Sequence, residues 1–159
     1  MYHRQPLPMA AIAATLLLRP PVPAQPEACS LLTVAQVSAA LEVTSLPGRP
    51  PLPSAHSSCM WFDDSTGDIN HRRVTLSLTP AMMFDRMKDS PQLKTEPVSG
   101  IGDAAYYELL GAESPALAVR KGGSAFTVRI LNGLKSKPFA IAQVKAKEAD
   151  LAKAAAAKL

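Results

Sequence analysis

Val34, Val37 and Leu41 recur at helical spacing behind Thr33-Val-Ala-Gln36, a periodicity that predicts a first helix running to about Glu42. The threonine hydroxyl and the glutamine amide are placed to satisfy free amides of the first turn, as in a capping box. Residues 44–57 break the pattern. Pro47, Gly48, Pro50, Pro51 and Pro53 cannot continue a helix, so an irregular surface loop is expected there. Alternation then replaces helical spacing. Ser58-Cys-Met-Trp-Phe-Asp63 reads as a strand, and Arg73-Val-Thr-Leu-Ser-Leu78, with Val74, Leu76 and Leu78 on one side, as its hairpin partner. Thr79-Pro80 opens a second helix whose apolar stripe is Met83, Phe84 and Met87, ended by Ser90-Pro91.

Farther on, the glycine-dependent turn Val98-Ser-Gly-Ile-Gly-Asp103 feeds a strand over Ala104–Leu109. Ala116–Arg120 and Ala125–Ile130 flank Lys121-Gly-Gly-Ser124 and form a hairpin, because glycines supply the positive φ angles that a short turn needs. Leu117, Val119, Phe126, Val128 and Ile130 share its buried face and leave Arg120 and Arg129 on the other. A last helix is expected over 138–158, with Ile141, Val144 and Leu151 as its packing stripe and the alanine run at 154–157 adding helix propensity. The element order predicts an α+β fold: an antiparallel sheet of about five strands covered by two to three helices.

The amino-terminal pattern is of another kind. Arg4, the apolar run Met9–Leu18 and then Arg19-Pro-Pro-Val-Pro-Ala24 fit a secretory signal peptide over residues 1–24, cleaved after Ala24. The run is shorter than the roughly 20 apolar residues that span a bilayer. An uncleaved anchor is the alternative. Lipid attachment at Cys29 is disfavoured because Pro26-Glu27-Ala28 sets a proline and a charge where small and apolar residues are needed. Residues 25–159 then form a single domain, exported to the periplasm or secreted. In that compartment the two cysteines, Cys29 and Cys59, read as one disulfide, two buried thiols being the alternative. Closing a loop of about 30 residues stabilises a fold by roughly 3–4 kcal/mol.

Charge changes the picture little. The formal charge of +4 falls to +2 once Arg4 and Arg19 leave with the signal, and the remaining excess sits in the last helix and the segment leading to it. Lys145, Lys147, Lys153 and Lys158 alternate there with Glu148 and Asp150, which predicts a solvated polar face and no nucleic-acid or membrane partner beyond the signal peptide.

Few residues invite chemistry. Asp63-Asp-Ser-Thr-Gly-Asp68 holds three carboxylates, but it lacks the alternation and distal glutamate of a calcium loop. His56, Cys59 and His71 lack paired ligand spacing. Met60, Met82, Met83 and Met87 would suit Cu(I), although Ala81 and Phe84 beside them read as ordinary core packing. His56, Ser57 and Ser58 have no nucleophile elbow, base or orienting acid, and Gly100-Ile-Gly102 is not a dinucleotide fingerprint. No catalytic residue, metal or cofactor is therefore expected. Alternation sets Trp61 against Phe62 and Tyr106 against Tyr107 across the sheet. A ligand surface would arise if the outward rings among Trp61, Tyr106 and Tyr107 met Arg120 and Arg129 on an open sheet face.

The Ala28-Cys-Ser-Leu-Leu-Thr-Val-Ala-Gln36 string, Cys59-Met-Trp61 and Val98-Ser-Gly-Ile-Gly-Asp-Ala-Ala-Tyr106 together resemble a broad group of small exported bacterial envelope domains of unknown function. These include small lipoproteins and the sensor modules of receptor kinases. The resemblance implies a disulfide-tied α+β envelope domain of sensor or ligand-binding type, and with no catalytic constellation in the chain a binding or sensory role toward a small molecule or envelope protein is expected rather than an enzymatic one. A small periplasmic hydrolase or a metal-handling protein is the alternative.

Overall fold

The computed structural model describes residues 27–63, 68, 70–109 and 115–159; the expected signal segment 1–24 lies outside the described residues. A 3-10 turn, Ala28–Ser30, leads into helix α1, Val34–Leu41. Then come strands β1, Ser58–Phe62, and β2, Arg73–Pro80, helix α2, Ala81–Lys88, and strands β3, Lys94–Val98, β4, Ala104–Leu109, β5, Pro115–Lys121, and β6, Ser124–Leu131, with helix α3, Ile141–Ala156, closing the chain. The strands form one antiparallel sheet of six in the order β1-β2-β6-β5-β4-β3. Every neighbouring pair but β2–β6 is joined by a sequential connection. The crossover from β2 to β3 must pass over the sheet, and α2 lies on that path.

One sheet face carries the main core. Trp61, Val74, Leu76, Tyr107, Leu117, Val119, Phe126, Val128 and Ile130 pack there against Val37 and Leu41 of α1 and Val144, Leu151, Ala152 and Ala155 of α3. The capping box of α1 is closed from both sides: the Gln36 amide donates to Thr33 Oγ1 at 3.2 Å, and the Thr33 amide to Gln36 Oε1 at 2.9 Å. Thr33→Ala is expected to cost about 1 kcal/mol, read as a lower urea midpoint at unchanged m-value.

The Cys29–Cys59 disulfide joins the amino-terminal turn to β1 across a Cα–Cα distance of 5.0 Å. The proline-rich segment that follows α1 closes over it. Its backbone pairs with the outer edge of β1, Arg49 and Met60 exchanging amides at 3.0 and 2.9 Å and Leu46 donating to Phe62 at 2.9 Å, which removes a free sheet edge. Gly48 is what allows the approach. A Cβ there would stand 2.5 Å from the Trp61 indole and 2.7 Å from Cys59 Sγ.

Four details depart from the sequence reading. The sheet has a sixth strand, β3, whose Lys94-Thr-Glu-Pro-Val98 is too polar to signal itself and whose Pro97 suits only an edge. Strand β2 extends through Pro80, so α2 begins one residue later, at Ala81. Ile141 is half-exposed, and buried alanines with Glu148 take its place in the α3 stripe. In α2 only Phe84 is buried, while Met83 and Met87 remain 38% and 41% exposed.

Candidate functional site

Residues that alternate with the main core form the second sheet face. Across the strands one row reads Ser58, Ser77, Thr127, Ala118, Tyr106 and Pro97; in the next, Met60, Thr75 and Arg129 align on one side and Ala116, Glu108 and Thr95 on the other, with β5–β6 pairing ended at Leu117 and Val128 between them. The short helix α2 reaches only part of this face. Phe84 packs on Tyr106, Ala118 and Ala125, its ring centroid 4.7 Å from that of Tyr106, whose hydroxyl donates to the Phe84 carbonyl at 3.1 Å. Burial, with Glu108, Asp85 and Asp89 nearby, pushes the Tyr106 phenol up to about 12, so it stays neutral. Arg120 anchors the helix from below by donating to Asp85 at 2.9 Å.

Where α2 stops, a cleft of about 250 Å3 opens between Met83 and Met87 of the helix and a floor of Thr127, Ala118 and Tyr106. Glu108 lines it. This side chain is 8% exposed, yet its carboxylate makes no hydrogen bond among the described residues. Burial raises its pKa, and the charge of Arg129 opposes that rise through space without a hydrogen bond between the two. In the register Glu108 faces Ala116, while Arg129 follows Val128, where the pairing of β6 with β5 ends, so the acid and the base lie two strands apart with no long side chain facing Glu108 from β5. The Arg129 Nε is itself enclosed with no acceptor among the described residues. Burying charged groups without direct partners is unfavourable, which marks this pair off from the ordinary ion pairs elsewhere on the surface.

The residues singled out in the sequence do not share one surface. Trp61 and Tyr107 lie on the main-core face, Trp61 fully buried and Tyr107 donating its hydroxyl to the Lys145 carbonyl at 2.6 Å. Tyr106, Arg120 and Arg129 lie on the second face, Tyr106 beneath α2, Arg120 tied to Asp85 and Arg129 outside the cleft lining, opposite Thr75 and one alternation beyond Thr127. Sequence reasoning passed over Glu108. The same alternation that turned Tyr106 outward turns Glu108 to that side, and a carboxylate two residues from a buried ring was the available signal.

The other candidates resolve into structure. Asp63 accepts from the Arg72 amide and Ser136 at 3.3 Å, and Asp68 is held down to about 2 by Lys135 and the Asn70 amide; Asp64 lies outside the described residues. Ser58 Oγ donates to Ser77 Oγ at 3.1 Å, whereas His56 Nδ1 stands 3.7 Å from Glu27. Gly102, at φ +60°, lets Asp103 turn back to accept from the Gly122 amide at 2.7 Å. Among the described residues no group of three or more histidine, cysteine, aspartate or glutamate side chains comes together, and no helix is long and apolar enough to cross a membrane. Two of the α3 lysines are pinned: Lys145 donates to Glu96 at 2.6 Å and Lys147 to Glu42 at 2.8 Å. A second groove of about 280 Å3, lined by Gln36, Ala39, Lys147 and Ala154, runs between α1 and α3.

No protein-family model, curated protein or solved structure matches the chain.

Proposed function

We propose that this is an exported, non-enzymatic binding or sensory domain of the cell envelope, and that its ligand site is the cleft between α2 and the second sheet face. The supporting observation is Glu108, a residue 8% exposed that lines the cleft and whose carboxylate takes no hydrogen bond from the described residues. Export is supported by the amino-terminal pattern together with a disulfide, which persists in oxidising compartments. The partner is a small molecule, since the cleft is smaller than the 300–1,000 Å3 of sites for drug-sized ligands.

A thermal-shift screen of small amphipathic metabolites on the oxidised protein tests this reading, run with and without chelator. A true ligand at a hundred times its Kd adds about 2.7 kcal/mol, several degrees of melting temperature. Thr127→Phe, which keeps strand propensity while filling the cleft floor, is expected to abolish that gain. Stabilisation that depends on metal ions would instead favour a metal-handling protein, and stabilisation that survives Thr127→Phe would move the site elsewhere.

A further inference from the structure

We propose that the cleft recognises a small zwitterion carrying an apolar side chain, its ammonium group on Glu108, its carboxylate on Arg129 and its side chain against Met83 and Met87. The inference rests on the cleft being the ligand site and adds the chemistry of what enters it.

Three observations converge. Glu108 lines the cleft, is 8% exposed as a residue, and has acceptor capacity that no described donor uses. Arg129, one alternation beyond Thr127 of the cleft floor and just past the end of β5–β6 pairing, lies near enough to Glu108 for its charge to act there, and the residue facing Glu108 on the strand between them is Ala116, whose methyl group is short. Neighbouring strands lie about 4.8 Å apart, so the two backbones are separated by roughly 10 Å. Glutamate and arginine can lean together across that span, yet no salt bridge closes, and an open acid–base pair matches a ligand that carries both charged groups on one carbon. An amine alone would leave the guanidinium without its acceptor, and an acid alone would meet the Glu108 charge.

The third observation is the wall. Met83 and Met87 project from α2 half-exposed, and thioether side chains adapt their shape to an apolar group laid against them. Thr127 and Thr79, at the floor and margin, supply hydroxyls for the remaining polar atoms. A volume of about 250 Å3 admits an amino acid and not a long peptide.

Calorimetric titration of the oxidised protein with L-leucine, isoamylamine and isocaproate separates the terms, because the three share one side chain and differ only in which charges they carry. Leucine is expected to bind at least about tenfold more tightly than either relative, since each charge-assisted hydrogen bond is worth that factor or more. Glu108→Gln should erase the advantage of leucine over isocaproate, and Arg129→Gln its advantage over isoamylamine, with circular dichroism melts verifying that both variants fold. Equal binding of all three probes, abolished by Thr127→Phe, would overturn the zwitterion while keeping the cleft. Leucine binding untouched by Glu108→Gln would overturn it as well, and leucine binding untouched by Thr127→Phe would overturn the cleft itself. Absence of leucine binding would overturn the zwitterion outright.

Discussion

The double substitution Cys29→Ala/Cys59→Ala is expected to lower stability by roughly 2–5 kcal/mol, a large part of what an ordinary domain possesses. The bond spans 30 residues of sequence and is the covalent tie between the amino-terminal turn and the sheet. Around it the segment is held by few contacts of other kinds, chiefly the Ala28 amide on the His56 carbonyl at 3.0 Å, the Lys158 ammonium on the Ser30 carbonyl at 2.9 Å, and the burial of Leu31 and Leu32. Cys59 faces the main core alongside Trp61, opposite the α2 cleft, so the loss should leave the ligand surface intact in molecules that remain folded. Urea unfolding of the oxidised parent and the double variant, with alkylation and intact mass to verify the thiol state, measures the effect. Equal midpoints would mean that the bond ties together parts already held by packing.

The second large effect comes from Glu148, which is 0% exposed in the middle of α3. Pairing between β5 and β6 stops at Leu117 and Val128, and beyond it the Ile130 amide donates to Glu148 Oε1 at 2.8 Å while Oε2 has no partner among the described residues. Burial raises the carboxyl from 4.5 to about 8 against the pull of the Ile130 hydrogen bond and the charges of Arg129 and Lys145. Tyr107, also nearby, is neutral throughout the range because burial lifts it to about 12. The sign follows directly. Below about pH 4.5 both folded and unfolded chains hold the proton; between 4.5 and 8 only the folded chain does, so stability declines as pH rises, and the loss is complete above the folded value. The decline amounts to roughly 4–5 kcal/mol. Glu148→Gln keeps the acceptor for Ile130, removes the titration, and should flatten the profile while stabilising the protein at pH 8. Urea midpoints measured across this interval test it, and a parent protein equally stable at both ends would contradict the account.

These two cases also show what the linear pattern carries. The Thr33–Gln36 cap and the glycine hairpin are local, each needing only a few residues of defined type at a short spacing, and the disulfide, 30 residues apart, was legible because the chain holds only two cysteines. Glu148 is not local. Among lysines and Asp150 it reads as one more charge on a polar face, and only the early end of β5–β6 pairing makes a buried acceptor necessary there. Arg72 is similar. It lies buried between α1 and the approach to α3, donating to the Leu41 carbonyl at 2.6 Å and covering the Phe139 ring at 3.9 Å, a position that no neighbouring residue announces. Strand β3 escaped because edge strands need no alternation when one side meets solvent.

The candidate site was half legible. Alternation placed Arg120 and Arg129 on the second face and set Tyr106 opposite Tyr107. It could not tell which face the longer helices cover, so Trp61 and Tyr107, offered as surface, are core. Nor could it set the reach of α2. That helix has eight residues, enough to cap Tyr106 with Phe84 and too few to cover Glu108, and the cleft exists because of the difference.

The claim that this face is a ligand site is tested most directly by chemical-shift mapping of the isotope-labelled, oxidised protein titrated with L-leucine. Saturable shifts confined to Met83, Met87, Tyr106, Glu108, Ala118, Thr127 and Arg129 are expected, with the groove between α1 and α3 silent. Shifts centred instead on Gln36, Ala39, Lys147 and Ala154 would contradict it.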